Sequence, residues 1–343
     1  PEAKGIGLTR ALDARVAAHV KFERNKRGWD YWTRLPEVLR RKISLFTNAS
    51  ARGPVLPEIH RLFAYPVEVV GKEAAFSIET VPYARFNTHK TVKNQIFAVN
   101  LGLDDPLANA LPGLLGERGE EALKARKPFH LLLSDRFATG QTSFFAVAWS
   151  EPDLTRLLAG ADSVALRREV EESVVRGLTL TMFSLGEEKD LPGEVAREFG
   201  WTMRLNKGFF GAVDPERAFV KFNASEPVRL ILVHWIDGRL PLDQAPWDPV
   251  MERILRAYND GDFVLAERTQ IFPARFQGEP ALKWEGIWQN EKYTIGGPFR
   301  AYAIHRGGRS YLLVGQVFAP GADKVYLLRQ VEALMNTFQI LGS

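Results

Sequence analysis

The chain has 343 residues, 45% hydrophobic and 25% charged, with 45 Lys and Arg against 41 Asp and Glu, six His and no Cys. These proportions suit a globular chain of about two domains and exclude wholesale disorder. The lack of Cys excludes disulfides, thiolate metal sites, iron–sulfur clusters and thiol nucleophiles. No apolar run approaches the ~20 residues of a membrane span. The longest, Leu230 to Val233 and Phe144 to Trp149, have the length of buried strands.

Charge is unevenly placed. Residues 1–42 carry eleven basic and five acidic side chains, whereas the remaining 301 carry 34 and 36. Within this arm, Thr9 caps a helix in which Leu12, Val16 and Val20 recur at helical spacing, with Asp13 in its first turns. Gly28 interrupts the pattern. Trp32, Leu35 and Leu39 then mark a second amphipathic helix, basic and aromatic, whose Pro36 fits only the first turn.

Ile43 to Thr47 reads as a first core strand, followed by a turn at Gly53-Pro54 and a helical stripe of Leu56, Ile59, Leu62 and Phe63. Phe76 to Thr80 and Gln95 to Leu101 are strand-like, and residues 104–127 hold short helical pieces broken by Pro and Gly. Phe129 to Ser134 and Ser143 to Trp149 read as two strands joined near Thr139-Gly140, before a long helix over Asp162 to Leu185. After Gly186 a second half begins, with a helix around Glu194 to Phe199 and strands at Trp201 to Leu205, Ala218 to Phe222 and Val228 to Ile236. A helix over Asp248 to Tyr258, capped by Asp248 with Pro249 first, precedes strands at Phe263 to Ile271, Ala301 to Arg306 and Tyr311 to Phe318. A final helix, Lys324 to Phe338, puts Leu327, Val331, Leu334 and Phe338 on one face. Both halves run strand, helix, further strands and a closing helix, which suggests a duplication. The expected fold class is therefore α+β, not a doubly wound parallel sheet: two related mixed halves with largely antiparallel sheets plus a helical basic arm. The expected divisions are 1–42, 43–186 and 187–343.

The search for chemistry is mostly negative. There is no P-loop, no dinucleotide fingerprint after the glycines at 5 and 7, and no Gly-x-Ser-x-Gly elbow. The histidines, His19, His60, His89, His130, His234 and His305, are scattered, and the pair His19 and Glu23 lacks a third ligand. His234 shares a strand face with Ile236 rather than Asp237 and reads as a satisfied structural histidine. Asn259, Asp260 and Asp262 around Gly261 resemble half a calcium loop, but position twelve is Gln270, so a solvated turn is expected. Glu169, Glu171, Glu172, Glu187 and Glu188 read as surface ion-pairing carboxylates. No catalytic residue, metal site or cofactor is assigned.

The feature that exceeds chance is the cluster Lys21, Arg24, Lys26, Arg27, Trp29, Tyr31, Trp32 and Arg34, all within fourteen residues. It suits anionic lipid headgroups, an acidic-aromatic groove on another protein, or nucleic acid, and the nearly neutral body disfavours the last. The alternative is that Trp29 and Trp32 cover the body's own core while the cations are merely solvated.

The C-terminal third carries a resemblance. Gly286-Ile287-Trp288, Gly296-Gly297-Pro298-Phe299, Val317-Phe318-Ala319-Pro320, Lys324 and Tyr326 to Leu334 together resemble the end of the domain-of-unknown-function 4837 family. Ile43 to Phe46, Gly53-Pro54-Val55 before a helix ending at Phe63, and Phe199-Gly200 with Trp201 to Leu205 extend the similarity over roughly 43–341. The motif residues Trp288, Gly296, Gly297, Pro298, Phe299 and Pro320 read as structural: a tight turn at Gly296-Gly297-Pro298 flanked by the core anchors Trp288 and Phe299. The basic arm, residues 6–42, departs from the family. The resemblance implies an uncharacterised bacterial envelope protein of lipoprotein type, lends no activity, and makes Pro1 to Gly5 similar to the polar segment that follows a lipidated Cys.

The resulting expectation is a non-enzymatic, extracytoplasmic (periplasmic) and membrane-anchored accessory or scaffolding subunit. Its basic-aromatic arm would dock on a membrane-protein complex of bioenergetic or secretion type, or on an anionic membrane surface, without nucleic acid. The alternative is a small-ligand-binding envelope lipoprotein using a cleft between the halves.

Overall fold

The computed structural model describes residues 41–183, 186–225 and 227–341, and the basic-aromatic arm lies outside them. The chain divides into two compact units between Thr181 and Met182, where the sequence pattern suggests Gly186. A short segment, Glu68–Gly71, belongs with the second unit. The whole is α+β, and antiparallel pairings outnumber parallel ones.

The first unit runs β1 (Lys42–Thr47), α1 (Val55–Phe63), β2 (Ser77–Thr80), β3 (Asn94–Asn100), α2 (Pro106–Leu115), α3 (Glu117–Lys124), β4 (Phe129–Ser134), β5 (Thr142–Ala148), α4 (Glu151–Ala159) and α5 (Ser163–Thr181). Its sheet has the order β2-β1-β3-β5-β4. β1 pairs parallel with both β2 and β3, and β3 parallel with β5; only β4 runs antiparallel. The central strands are buried along their whole length, as a parallel sheet covered on both faces requires. On one face Phe46, Phe97, Val99, Phe145 and Val147 pack with Phe86 and with Leu107, Leu111 and Leu114 of α2. On the other, Phe63 of α1 meets Phe144 with ring centroids 5.1 Å apart, and α4 and α5 pack on β5.

This unit corrects two expectations. Its sheet is mainly parallel, so a largely antiparallel build holds for the second unit alone. A duplication would repeat one topology, and the units do not. The element pattern misled because strand direction leaves no mark in local periodicity, and the hairpin-like pairs elsewhere in the chain weighted the reading towards antiparallel sheets.

The second unit holds α6 (Asp190–Phe199), β6 (Phe210–Asp214), β7 (Phe219–Ser225), β8 (Val228–Asp237), α7 (Asp248–Glu252) continued by a π-helical turn (Arg253–Tyr258), β9 (Asp262–Val264), β10 (Gln270–Phe276), β11 (Glu279–Asn290), β12 (Gly296–Arg306), β13 (Arg309–Phe318) and α8 (Lys324–Met335). The sheet order is β6-β7-β8-β13-β12-β11-β9, with β10 also pairing β11, and every pairing is antiparallel. Trp247, Val250, Met251, Ile254 and Leu255 cover one face above Leu232, Trp284, Ala301 and Val314. α8 covers the opposite face against β8, β12 and β13, and it is buried from Val325 to Met335. No helix among the described residues is long and apolar enough to cross a membrane.

Several local expectations shift. Gly296, Gly297 and Pro298 open β12 instead of forming a turn. Gly297 is required there, because a Cβ would meet the Val317 carbonyl oxygen at 1.9 Å. α7 begins after Trp247 with no side-chain cap, and the Asp248 carboxylate accepts from Gln244 Nε2 at 2.9 Å.

Candidate ligand cleft

In an open parallel sheet the strand order reverses where two neighbouring strands send their chains in opposite directions, leaving a crevice at their carboxyl ends. In the first unit this place lies between β1, which leads towards β2, and β3, which leads to the strands on the other side. A cleft of about 480 Å³ opens there, lined by Thr47, Asn48, Tyr83, Ala84, Phe86, Asn87, Asp105, Pro106 and Leu107. Its volume falls in the ~300–1,000 Å³ range of small-molecule sites.

The walls are built from strand ends outward. Thr47 Oγ1 donates to the Ala98 carbonyl at 2.8 Å, fixing the end of β1 to β3. Asn48 extends the β1–β3 ladder with its side chain: Nδ2 donates to the Asn100 carbonyl at 2.9 Å, and Oδ1 accepts from the Asn100 N–H at 2.8 Å. Nδ2 also donates to Asp105. Asp105 caps α2, its Oδ1 accepting from Leu107 N at 2.8 Å and Ala108 N at 3.0 Å, while Pro106 sits where a missing N–H costs nothing. The third wall is the connection from β2 to β3. Tyr83 stacks on Phe86 with centroids 5.6 Å apart and an interplanar angle of 20°, and Phe86 in turn sits edge-on to Phe46.

Two groups remain open. The Tyr83 hydroxyl and the Asn87 amide carry no side-chain hydrogen bond among the described residues. Burial raises the Tyr83 phenol above its ordinary value, so it stays a neutral donor and acceptor at neutral pH. Among the described residues Asp105 is the one carboxylate in the lining, and three N–H donors already face it.

Most polar groups towards the opposite, amino ends of the same strands are closed instead, although the buried Ser44 Oγ has no partner. Gln141 Nε2 donates to the carbonyls of Lys90 and Val92, Gln95 accepts from Ser143, and Thr142 bonds Ser173. The cleft thus lies at the carboxyl ends of these strands.

Among the described residues the second unit holds several buried polar clusters, such as the bonds from Arg229 to Gln330 and from Gln330 to Tyr326, and two of them are dense and closed. On the α7 side, Lys221 Nζ donates to Asn259, Asn259 donates to Asp262 at 2.6 Å and to Gln316 at 3.0 Å, and Asn290 and Gln316 donate to Asp262. This corrects the expected solvated turn: Asn259 and Asp262 are each 4% exposed. Under α8, Glu332 takes Lys283 at 2.8 Å together with Arg300 and Tyr302. Burial by itself would raise Glu332, but Arg300 and Lys283 outweigh it and hold the carboxyl well below the usual carboxylate range.

The docking residues Lys21, Arg24, Lys26, Arg27, Trp29, Tyr31, Trp32 and Arg34 lie outside the described residues, as do His19 and Glu23. Of the family-motif residues, Trp288 and Phe299 are buried in the α7-side core, Trp288 Nε1 donates to the Val317 carbonyl, and Pro320 is exposed after β13. Glu171 accepts from Tyr65, and Glu187 pairs with Arg204. His234 is half satisfied: Nδ1 bonds the Ala218 carbonyl at 2.9 Å, and the buried Nε2 has no partner. No sequence pattern singled out the cleft, because its residues are scattered over positions 47–107 and none is a type that advertises chemistry.

Residues 190–337 match the family described as "Domain of unknown function (DUF4837)". The match begins at Asp190, so the cleft and the similarity read over 43–189 lie outside it. No curated protein matches the chain. Among solved structures, a protein from Bacteroides thetaiotaomicron is 12% identical, over 41% of this chain and 45% of that one, at a TM-score of 0.26; this chain thus spans under half of that protein's length. The Saccharomyces cerevisiae Ran-binding protein Mog1p is 11% identical over 46% of this chain and 97% of its own, at 0.32. The cyanobacterial PsbP (CyanoP) of Synechocystis sp. PCC 6803 is 12% identical over 41% and 86%, at 0.29. Likenesses at these scores carry no argument about this chain.

Proposed function

We propose, for a chain that belongs through residues 190–337 to the DUF4837 family, a non-catalytic binding role in which the first unit takes a small molecule into the β1–β3 cleft. The observation that carries this is the position of the cleft: at the carboxyl ends of parallel strands, where the strand order reverses, with the Tyr83 hydroxyl and Asn87 amide open. The lining supports binding over catalysis. Among the described residues it offers one carboxylate already engaged by N–H donors, and no His or Lys to share a proton with it.

The distribution of charge supports a second role for the same protein. Eleven basic side chains in residues 1–42, with Trp29, Tyr31 and Trp32 among them, precede a body that is slightly acidic. We read the arm as a docking segment for a membrane-protein complex or an anionic membrane surface of the bacterial envelope, which makes the protein an accessory subunit that brings a bound small molecule to its host.

The binding role is tested with protein purified from its own cells and analysed by native mass spectrometry. Wild-type protein is expected to carry or exchange a small molecule, and Ala84→Trp, which fills the cleft from an exposed position, to carry none. Equal retention by both proteins would remove the cleft from consideration.

A further inference from the structure

We infer that the occupant of the β1–β3 cleft is a neutral polyhydroxylated molecule, a sugar or the end of a short glycan. This inference rests on the binding role proposed above and names its ligand class. Charge narrows the class first. Among the described residues no Lys, Arg or His lines the cleft, and the one formal charge of that lining, Asp105, is negative, so phosphates and carboxylates find repulsion there and no partner. A cation gains little in turn. Asp105 already accepts from the N–H groups of Leu107 and Ala108 and from Asn48, which answer its charge within the protein.

Hydrogen bonding and shape narrow the class further. The two open groups, the Tyr83 hydroxyl and the Asn87 amide, each donate and accept. Sugar hydroxyls do the same, whereas an apolar ligand would leave both unsatisfied at a cost. The half-buried Tyr83 ring is held flat by Phe86 behind it, and a rigid aromatic surface with a polar tip suits a ligand with one C–H face and a hydroxylated rim. Buried Leu107 adds an apolar surface of limited extent, and exposed Ala84 lies at the rim.

The test uses the full ¹⁵N-labelled chain. Glucose, N-acetylglucosamine and maltose are titrated separately, and inorganic phosphate, adenosine monophosphate and hexanoate serve as the competing classes. The expected result is saturable movement of the Asn48, Asn87 and Leu107 signals with at least one sugar. Asn87→Ala is expected to weaken that affinity roughly 3- to 10-fold, the worth of one neutral hydrogen bond, and Tyr83→Ala by about tenfold or more. Tyr83→Phe should lose less than Tyr83→Ala. Saturable movement with phosphate, the nucleotide or hexanoate but with no sugar overturns the ligand class while leaving the binding role standing. Movement with no probe overturns the ligand class as well, and the mass-spectrometric comparison with Ala84→Trp then decides the binding role independently.

Discussion

Glu332 shows how far one side chain departs from what its position in the sequence suggests. It sits mid-helix, 4% exposed, against Lys283, Arg300 and Tyr302. Removing one partner of such a set leaves an uncompensated buried charge, so Glu332→Gln is expected to cost about 3–5 kcal/mol. Glu285→Gln, whose carboxylate is over a third exposed, should cost at most about 1 kcal/mol. Urea denaturation of the two variants makes the comparison. The pH dependence has a definite sign. Burial opposes ionisation of Glu332, but Arg300 and Lys283 outweigh it, so its carboxyl titrates lower in the folded than in the unfolded chain. Its contribution is complete above the ordinary carboxylate value of about 4.3 and is lost as pH falls below it. In Glu332→Gln that part of the acid slope should vanish; a slope equal to wild type would show that other carboxylates carry it. At this scale the sequence displays residue types but hides their pairings, since positions 283, 300 and 332 meet only through the packing of α8 on the sheet.

Amphipathic helices and the fully buried strands β3 and β5 were readable alike, the first from their stripe and the second from their continuous apolar runs. α1 follows the expected stripe, with Ile59, Leu62 and Phe63 buried. The twelve-residue β11 escaped detection: Leu282, Lys283, Trp284 and Glu285 alternate as a strand should, but Pro280 and Gly286 flank that short run and limit the alternation to four residues. The helix after Pro249 was legible as a helix, but its π-helical turn was not. That turn is closed by the bond from Gly261 N to the Arg256 carbonyl, just before Asn259 enters the polar network. α5 gives an element-scale prediction. Gly177 lies inside this helix, a little over a turn from its C-terminal end, where Ala would ordinarily gain up to ~1 kcal/mol. A Cβ there would meet the Gly140 backbone oxygen at 2.4 Å. Gly177→Ala is therefore expected to destabilise the first unit by about 1–3 kcal/mol. Stabilisation on thermal unfolding would contradict this close approach.

For the whole molecule, the separation of charge between arm and body yields the third test. Deleting residues 1–40 is expected to leave the circular dichroism and melting of the remainder unchanged while abolishing co-purification with membranes or their complexes at low salt. High salt should weaken the wild-type association by screening the cations. Collapse of the body on deletion would instead assign Trp29 and Trp32 to its core. The sequence by itself determined the α+β class, most strands and helices, the family of residues 190–337 and the basic start, because these follow from composition, short periodicities and local motifs. The tertiary structure alone decided that the first sheet is mainly parallel, that Glu332 and Asp262 are buried, and that Asn48, Tyr83, Asn87 and Asp105 surround one cleft. Strand direction and the meeting of distant side chains depend on which strands become neighbours, and no local spacing records that choice.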